Sequence, residues 1–289
     1  MMMSPPLQQR FLVAFLRLTR AWNLFIIALS QYFTAAMIIG TYTIFDWRLL
    51  LLSSSTVLIA AGGYIINDYY DIKIDLVNKP ERVVIGKGIT RRYALLFHTV
   101  LSISGILLGL ILNWRIGAIN FGSVFLLWWY SNDLKRHPLI GNVVVALLTA
   151  IAILMVDALY TTGNLLIVSY ATFAFFMTFI REIIKDMEDL KGDDTFGCKT
   201  LPIVWGIRRT KFFLYGLLLV FTSTVFMLNF FFINLPVIYI GVFLLLPLSW
   251  LLFRLVRADT RKDFAWLSSF CKFIMLLGIL SLAFFRQMK

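Results

Sequence analysis

The chain has 289 residues, of which 60% are hydrophobic, 16% aromatic and 15% charged, and its mean hydropathy is +0.85. Soluble domains carry about 25% charged residues, so this composition excludes a water-soluble globule and indicates a polytopic membrane protein whose packing is interhelical and lipid-facing. The formal net charge of +12 would suit nucleic acid, but the aromatic residues lie within apolar runs rather than between basic residues, and no DNA- or RNA-binding motif is present.

Taken in order, the chain opens on MMMSPPLQQR and an amphipathic stretch containing Arg17 and Arg20. No small-residue cleavage site follows a clean apolar core, so no cleaved signal peptide is expected. Nine apolar runs then approach the roughly 17–25 residues that cross a bilayer. They fall near 22–41, 49–66, 93–112, 116–130, 138–157, 165–184, 212–232, 236–253 and 264–285, and the fourth is the shortest. Gly62–Gly63 in the second run would allow close helix approach or local unwinding. With the N-terminus in the cytoplasm, the segments on that side hold 22 of the 27 Lys and Arg residues. Arg48, Arg115, Arg286 and Lys289 fall on the other side, and Lys272 within the last run. That asymmetry follows the positive-inside rule and accounts for the charge by topology.

Two acidic stretches interrupt this pattern. NDYYDIKID (Asn67–Asp75) places Asp68, Asp71 and Asp75 at the end of the second run. DMEDLKGD (Asp186–Asp193) repeats the spacing 118 residues later with Asp186, Asp189 and Asp193 after the sixth. Each triplet is i, i+3, i+7, which on a helix directs all three carboxylates to one face. A shift of four spans with the same orientation predicts an internal repeat, with an eight-helix core and one further span. A single acidic loop would read as a solvated charge run. Two triplets in matching register on one side point instead to hard divalent cations, Mg²⁺, Mn²⁺ or Ca²⁺, held by oxygen ligands. Mg²⁺ uses one or two carboxylates and completes its shell with phosphate and water, so the expected third party is a diphosphate. Asn67 supplies a neutral oxygen or an amide donor beside the first stripe. Basic residues near the same plane would complete a diphosphate site: Lys135 ends the short segment after the fourth run, Arg82 follows the first stripe, and Arg181 and Lys185 sit just before the second. A diphosphate site opening into a membrane bundle implies a hydrophobic tail, as in a prenyl diphosphate. Its allylic cation would need aromatic, water-free walls, for which Tyr130 is the candidate. Cys198 and Cys271 lie in no metal or redox pattern and are expected as free thiols; two histidines are too few for a histidine-based metal site.

These segments resemble the UbiA superfamily of intramembrane prenyltransferases. NDYYDIKID with NKPERVVIGKGIT resembles its first aspartate-rich motif, and IKDMEDLKGDDTFGCKTLPIVWG (Ile184–Gly206) its second. YSNDLKR (Tyr130–Arg136) resembles its short Tyr-Ser…Lys segment, and TRAWN (Thr19–Asn23) the opening of its first helix. The resemblance implies one all-α domain over residues 1–289, nine transmembrane helices around a central cavity capped by cytoplasmic loops. It implies Mg²⁺ and diphosphate binding by Asn67, Asp68, Asp71, Asp75, Asp186, Asp189 and Asp193, with Arg82, Lys135 and Lys185 on the diphosphate. Tyr130 is then near the reacting carbon, and Asn23 contributes from helix one. Arg82-Val83-Val84 stands where relatives often have Arg-Pro-Ile, and Ala21 where proline is common. The tail NKPER is most similar to members that alkylate geranylgeranylglyceryl phosphate or chlorophyllide, and less to those with naphthoate or 4-hydroxybenzoate acceptors. The expected partners are a prenyl diphosphate, a hydrophobic acceptor and membrane lipid, with no feature pointing to nucleic acid or an obligate protein partner. The expected location is the cytoplasmic membrane. The alternatives are an aromatic-acceptor enzyme of the same fold and a cation transporter. A transporter would need acids near mid-span; Asp157 is the only plausible one, and it sits near a span's end. The compact pattern of phosphatidyl-type transferases is absent.

Overall fold

The computed structural model describes residues 7–233 and 236–287, and every regular element among them is helical. Residues 1–6 and Lys289 lie outside the described residues. The helices are α1 (Leu7–Leu18), α2 (Ala21–Thr34), α3 (Trp47–Asn78), α4 (Arg91–Leu112), α5 (Trp114–Asn132), α6 (Ile140–Tyr160), α7 (Leu165–Thr195), α8 (Leu201–Leu228), α9 (Val237–Ile240), α10 (Leu246–Arg257) and α11 (Arg261–Gln287). Their starts follow local chemistry. Asn113 and Asn164 accept hydrogen bonds from the second residue of α5 and α7 through their side-chain oxygens, at 2.9 and 3.0 Å, and so cap open N–H groups. Pro202 and Pro247 sit in first turns, where a missing N–H does no harm. Wider turns at Ala35–Ile39 and Gly241–Leu245 lie within the first and eighth spans.

Eight described helices are long and apolar enough to cross a membrane. They correspond to eight of the nine expected runs. The fourth run, 116–130, lies in the 19-residue helix α5, which does not reach that apolarity. Its Trp114, Trp128, Trp129 and Tyr130 are near-neutral in hydropathy, and Arg115 and Asn120 are polar. The larger difference lies at the stripes. The expected second and sixth spans end at 66 and 184, whereas α3 runs on to Asn78 and α7 to Thr195. At 1.5 Å per residue, helices of 32 and 31 residues are about 48 and 46 Å long, against a hydrocarbon core of about 30 Å. The overshoot is where the carboxylates sit. Adding 118 to the bounds of α3 gives 165 and 196, within one residue of those of α7, so the repeat expected from two triplets extends over whole helices.

The chain divides into two compact units. One comprises residues up to Leu29 with Leu50–Leu134; the other comprises Ser30–Leu49 with residues from Lys135 on. In the first, buried Leu18, Ile65, Ile85, Ile89 and Ala94 gather α1, α3, the loop after α3 and α4 around one core, with Phe15 and Tyr69 packed against it. Asn120 joins α5 to this unit by donating to the Ser55 hydroxyl at 3.3 Å and the Gly105 carbonyl at 3.0 Å. In the second, α7 packs against α6, α8 and α11. Its core includes Met177, Ile180, Ile184, Leu214, Phe221, Leu251 and Cys271. Polar ties between helices matter in lipid because apolar surface gains little there by leaving lipid for protein. The hydroxyls of Tyr170, Tyr239 and Ser281 form one such tie, with Tyr170–Tyr239 at 2.7 Å and Tyr239–Ser281 at 2.6 Å. Asp46 forms another, accepting from Arg48 and, at 3.0 Å, from the Tyr160 hydroxyl. Both cysteines are buried free thiols.

Candidate functional site

The first stripe projects from the last three turns of α3. Asn67, Asp68, Asp71 and Asp75 are all partly buried, while Lys73, Leu76 and Val77 on the opposite face are exposed. The helical register therefore does what the spacing requires. Two features surround it. Arg20 stands between α1 and α2 with φ of 53°, in the left-handed region that non-glycine residues seldom occupy. That turn carries its guanidinium over the Tyr64 ring, 4.8 Å from the centroid, and onto Asp68 Oδ1 at 2.8 Å. Asn67 Oδ1 is buried and, among the described residues, accepts no hydrogen bond. Such an acceptor costs about 1–3 kcal/mol if nothing meets it, and so marks a place for a ligand.

The second stripe ends α7. Asp186, Asp189 and Asp193 are partly buried, and Asp194 and Lys191 are exposed. The side-chain amide of Asn142, in the first turn of α6, donates to Asp186 Oδ2 at 2.8 Å. One turn earlier, Glu182 is 7% exposed and holds Arg181 in a very short ion pair, with Lys185 Nζ at 3.9 Å from its other oxygen. After the stripe, Cys198 N–H closes onto the Asp193 carbonyl at 2.9 Å, and Lys199 N–H donates to the Arg136 carbonyl at 2.7 Å. That backbone link ties the loop bearing Lys135 to the end of α7, two segments that are some sixty residues apart in sequence.

The expected basic residues are thus placed differently from one another. Lys135 is partly buried in the short helix Leu134–Arg136. Arg181 and Lys185 both reach Glu182, an acid not singled out in the sequence. Arg82 faces solvent, its side chain 73% exposed and 4.0 Å from Glu81. Asn23 is partly buried in the first turn of α2, its N–H donating to the Arg20 carbonyl at 2.7 Å. Tyr130 is partly buried near the end of α5. Three residues beyond those expected are Arg20, Asn142 and Glu182. The signal for the last two was legible as polar side chains inside apolar runs. For Arg20 it was only its place in TRAWN.

No three His, Cys, Asp or Glu side chains among the described residues converge tightly enough to hold a metal ion by themselves. Mg²⁺ takes one or two carboxylates and draws the rest of its shell from phosphate and water. An oxygen-only donor set with a buried, unmet amide oxygen at Asn67 fits such an ion.

The sequence matches the UbiA prenyltransferase family over residues 28–278, a stretch that runs through both units. A digeranylgeranylglyceryl phosphate synthase of Sulfurisphaera tokodaii is 35% identical over 248 residues, covering 85% of this chain and 88% of that protein. One of Saccharolobus solfataricus is 32% identical over 291 residues, covering 95% and 99%. Among solved structures, one described as giving insights into digeranylgeranylglyceryl phosphate synthase in membranes has a TM-score of 0.71 at 24% identity, covering 94% and 97% of the two chains. A UbiA homologue from Archaeoglobus fulgidus bound to DMAPP and Mg²⁺ has a TM-score of 0.61 at 18% identity, covering 93% and 99%. At these identities the solved structures establish the fold.

Proposed function

The chain belongs to the UbiA prenyltransferase family, and we propose that it transfers a geranylgeranyl group from geranylgeranyl diphosphate to the hydroxyl of geranylgeranylglyceryl phosphate, forming an ether lipid. The allylic C–O bond to diphosphate breaks, the C–O ether bond forms, the hydroxyl loses its proton and diphosphate leaves. The observation that carries this reading is the pair of aspartate stripes on the overshooting ends of two repeat-related helices. The names of the two relatives and the NKPER loop support the choice of acceptor.

Within this reading the two units act as one catalytic domain of nine spans, α5 being the ninth. Asn67, Asp71 and Asp189 hold Mg²⁺, with Asp75, Asp186 and Asp193 as further ligands or orienting groups. Asp68 belongs to the same cluster but is already engaged by Arg20. Mg²⁺, when bound, stabilises the charge that develops on departing diphosphate. Lys135 binds a diphosphate oxygen, with Lys185, Arg181, Arg82 and Asn23 as the remaining candidates. The Tyr130 ring faces the allylic cation and keeps water from it. The stripes open to the cytoplasm, because their side of the membrane carries most of the basic residues.

The test is a competition assay. Purified protein is given geranylgeranyl diphosphate and Mg²⁺ with geranylgeranylglyceryl phosphate, 4-hydroxybenzoate and chlorophyllide together. The expected product is digeranylgeranylglyceryl phosphate. Product from an aromatic acceptor alone would overturn the choice of acceptor while leaving prenyl transfer intact.

A further inference from the structure

The first aspartate of each stripe is held by a side chain from an earlier element, and the two holders differ in charge. Asp68 and Asp186 are equivalent under the 118-residue shift. Asp68 Oδ1 receives the Arg20 guanidinium at 2.8 Å, and Asp186 Oδ2 receives the Asn142 amide at the same distance. A guanidinium neutralises the carboxylate it binds. An amide fixes a carboxylate's direction without bringing a compensating charge. Asn142 is 7% exposed and stands among Ile140, Val143 and Val144, in a helix that is apolar almost throughout. A buried amide in such a helix is costly unless it is bonded, and here the bond goes to a stripe carboxylate.

From this contrast we infer that Asn142 is a positioning residue. Its amide holds the Asp186 carboxylate in the orientation that a magnesium ion requires, so the metal affinity of the second stripe depends on a residue outside both aspartate motifs. Residues that orient metal ligands in this way typically contribute 10–100-fold to metal affinity. Arg20, at the equivalent place in the first stripe, neutralises Asp68 instead. The inference rests on the metal–diphosphate reading above.

The test measures metal binding directly, without turnover. The full chain in detergent, saturated with a geranylgeranyl thiolodiphosphate that cannot react, is titrated with Mn²⁺ while the free ion is followed by electron paramagnetic resonance. Asn142→Ala is expected to weaken Mn²⁺ binding about tenfold. Asn142→Gln, which keeps an amide donor, should recover part of the loss. In parallel assays Asn142→Ala should raise the Mg²⁺ concentration for half-maximal turnover by a similar factor, with kcat at saturating Mg²⁺ changing far less. Wild-type Mn²⁺ affinity in Asn142→Ala, with only a lower unfolding temperature, would overturn the inference and assign Asn142 to packing. Equal losses in Asn142→Ala and Asn142→Gln would also overturn it. A wild-type protein that binds no Mn²⁺ would overturn the metal reading itself, and is distinguished from the other outcomes by that alone.

Discussion

At the scale of single residues, side chains far apart in sequence decide which stripe carboxylate already has a cationic partner. Arg20 lies 48 residues from Asp68 and reaches it only because its own backbone turns into the left-handed region. The pair is about one-third exposed on the arginine side, so its contribution to stability is that of a partly screened ion pair. Arg20→Ala should lower the unfolding free energy by about 1 kcal/mol. Arg20→Lys should recover part of this, because an ammonium keeps the charge but cannot stack its plane on Tyr64; thermal unfolding in detergent checks both. Lys135→Ala should weaken binding of the prenyl donor while leaving the fold intact. Unchanged donor affinity in equilibrium binding would reduce Lys135 to a topology anchor. The aspartates themselves could be read from spacing, since i, i+3, i+7 is a local property of a helix. Arg20–Asp68 and Asn142–Asp186 could not, because those pairings depend on how helices pack, and one sequence does not encode that locally.

At the scale of elements, the apolar runs marked the spans well but stopped short at the decisive ends. Hydropathy falls where the aspartates begin, so the apolar runs end at 66 and 184, while α3 and α7 each continue for about three more turns, as the helical spacing of the triplets requires. The charged ends remain helical because their polar groups are outside the hydrocarbon and the backbone bonds are kept within the helix. The wide turns at Ala35–Ile39 and Gly241–Leu245 left no legible sequence signal. Glycine marks two places where backbone sets the limit. Gly105 lets α4 approach α3 so closely that a Cβ there would meet the Ser55 carbonyl oxygen at 2.9 Å and Ile59 at 2.6 Å. Gly206 breaks the start of α8 with φ of 77°, and a Cβ there would meet nothing within 4 Å. Gly206→Ala should therefore destabilise through backbone strain alone, by about 1–2 kcal/mol, measured as a shift in unfolding midpoint. A neutral result would mean that the kink relaxes without loss.

At the scale of the whole molecule, the repeat puts both stripes on one side in the proposed topology, and the charge asymmetry makes that side the cytoplasm. Lys87, in the loop after the first stripe, and Gly163, between α6 and α7, fall on opposite sides in that topology. A cysteine placed at 87 should react with an impermeant maleimide only in inside-out vesicles, and one at 163 only in right-side-out vesicles, after Cys198 and Cys271 are replaced. Labelling of both from one side would overturn the span count as well as the orientation. The central claim is that the two stripes serve one departure of diphosphate, and diphosphate release tests it most directly. With geranylgeranyl diphosphate, geranylgeranylglyceryl phosphate and Mg²⁺, wild-type protein should release one diphosphate for each ether formed and none after chelation of the metal. Asp71→Asn and Asp189→Asn, one change in each stripe, should each abolish release while the protein still folds, because they remove repelling charge rather than core packing. Release at the wild-type rate by either variant, or Mg²⁺ flux without any diphosphate released, would contradict the account.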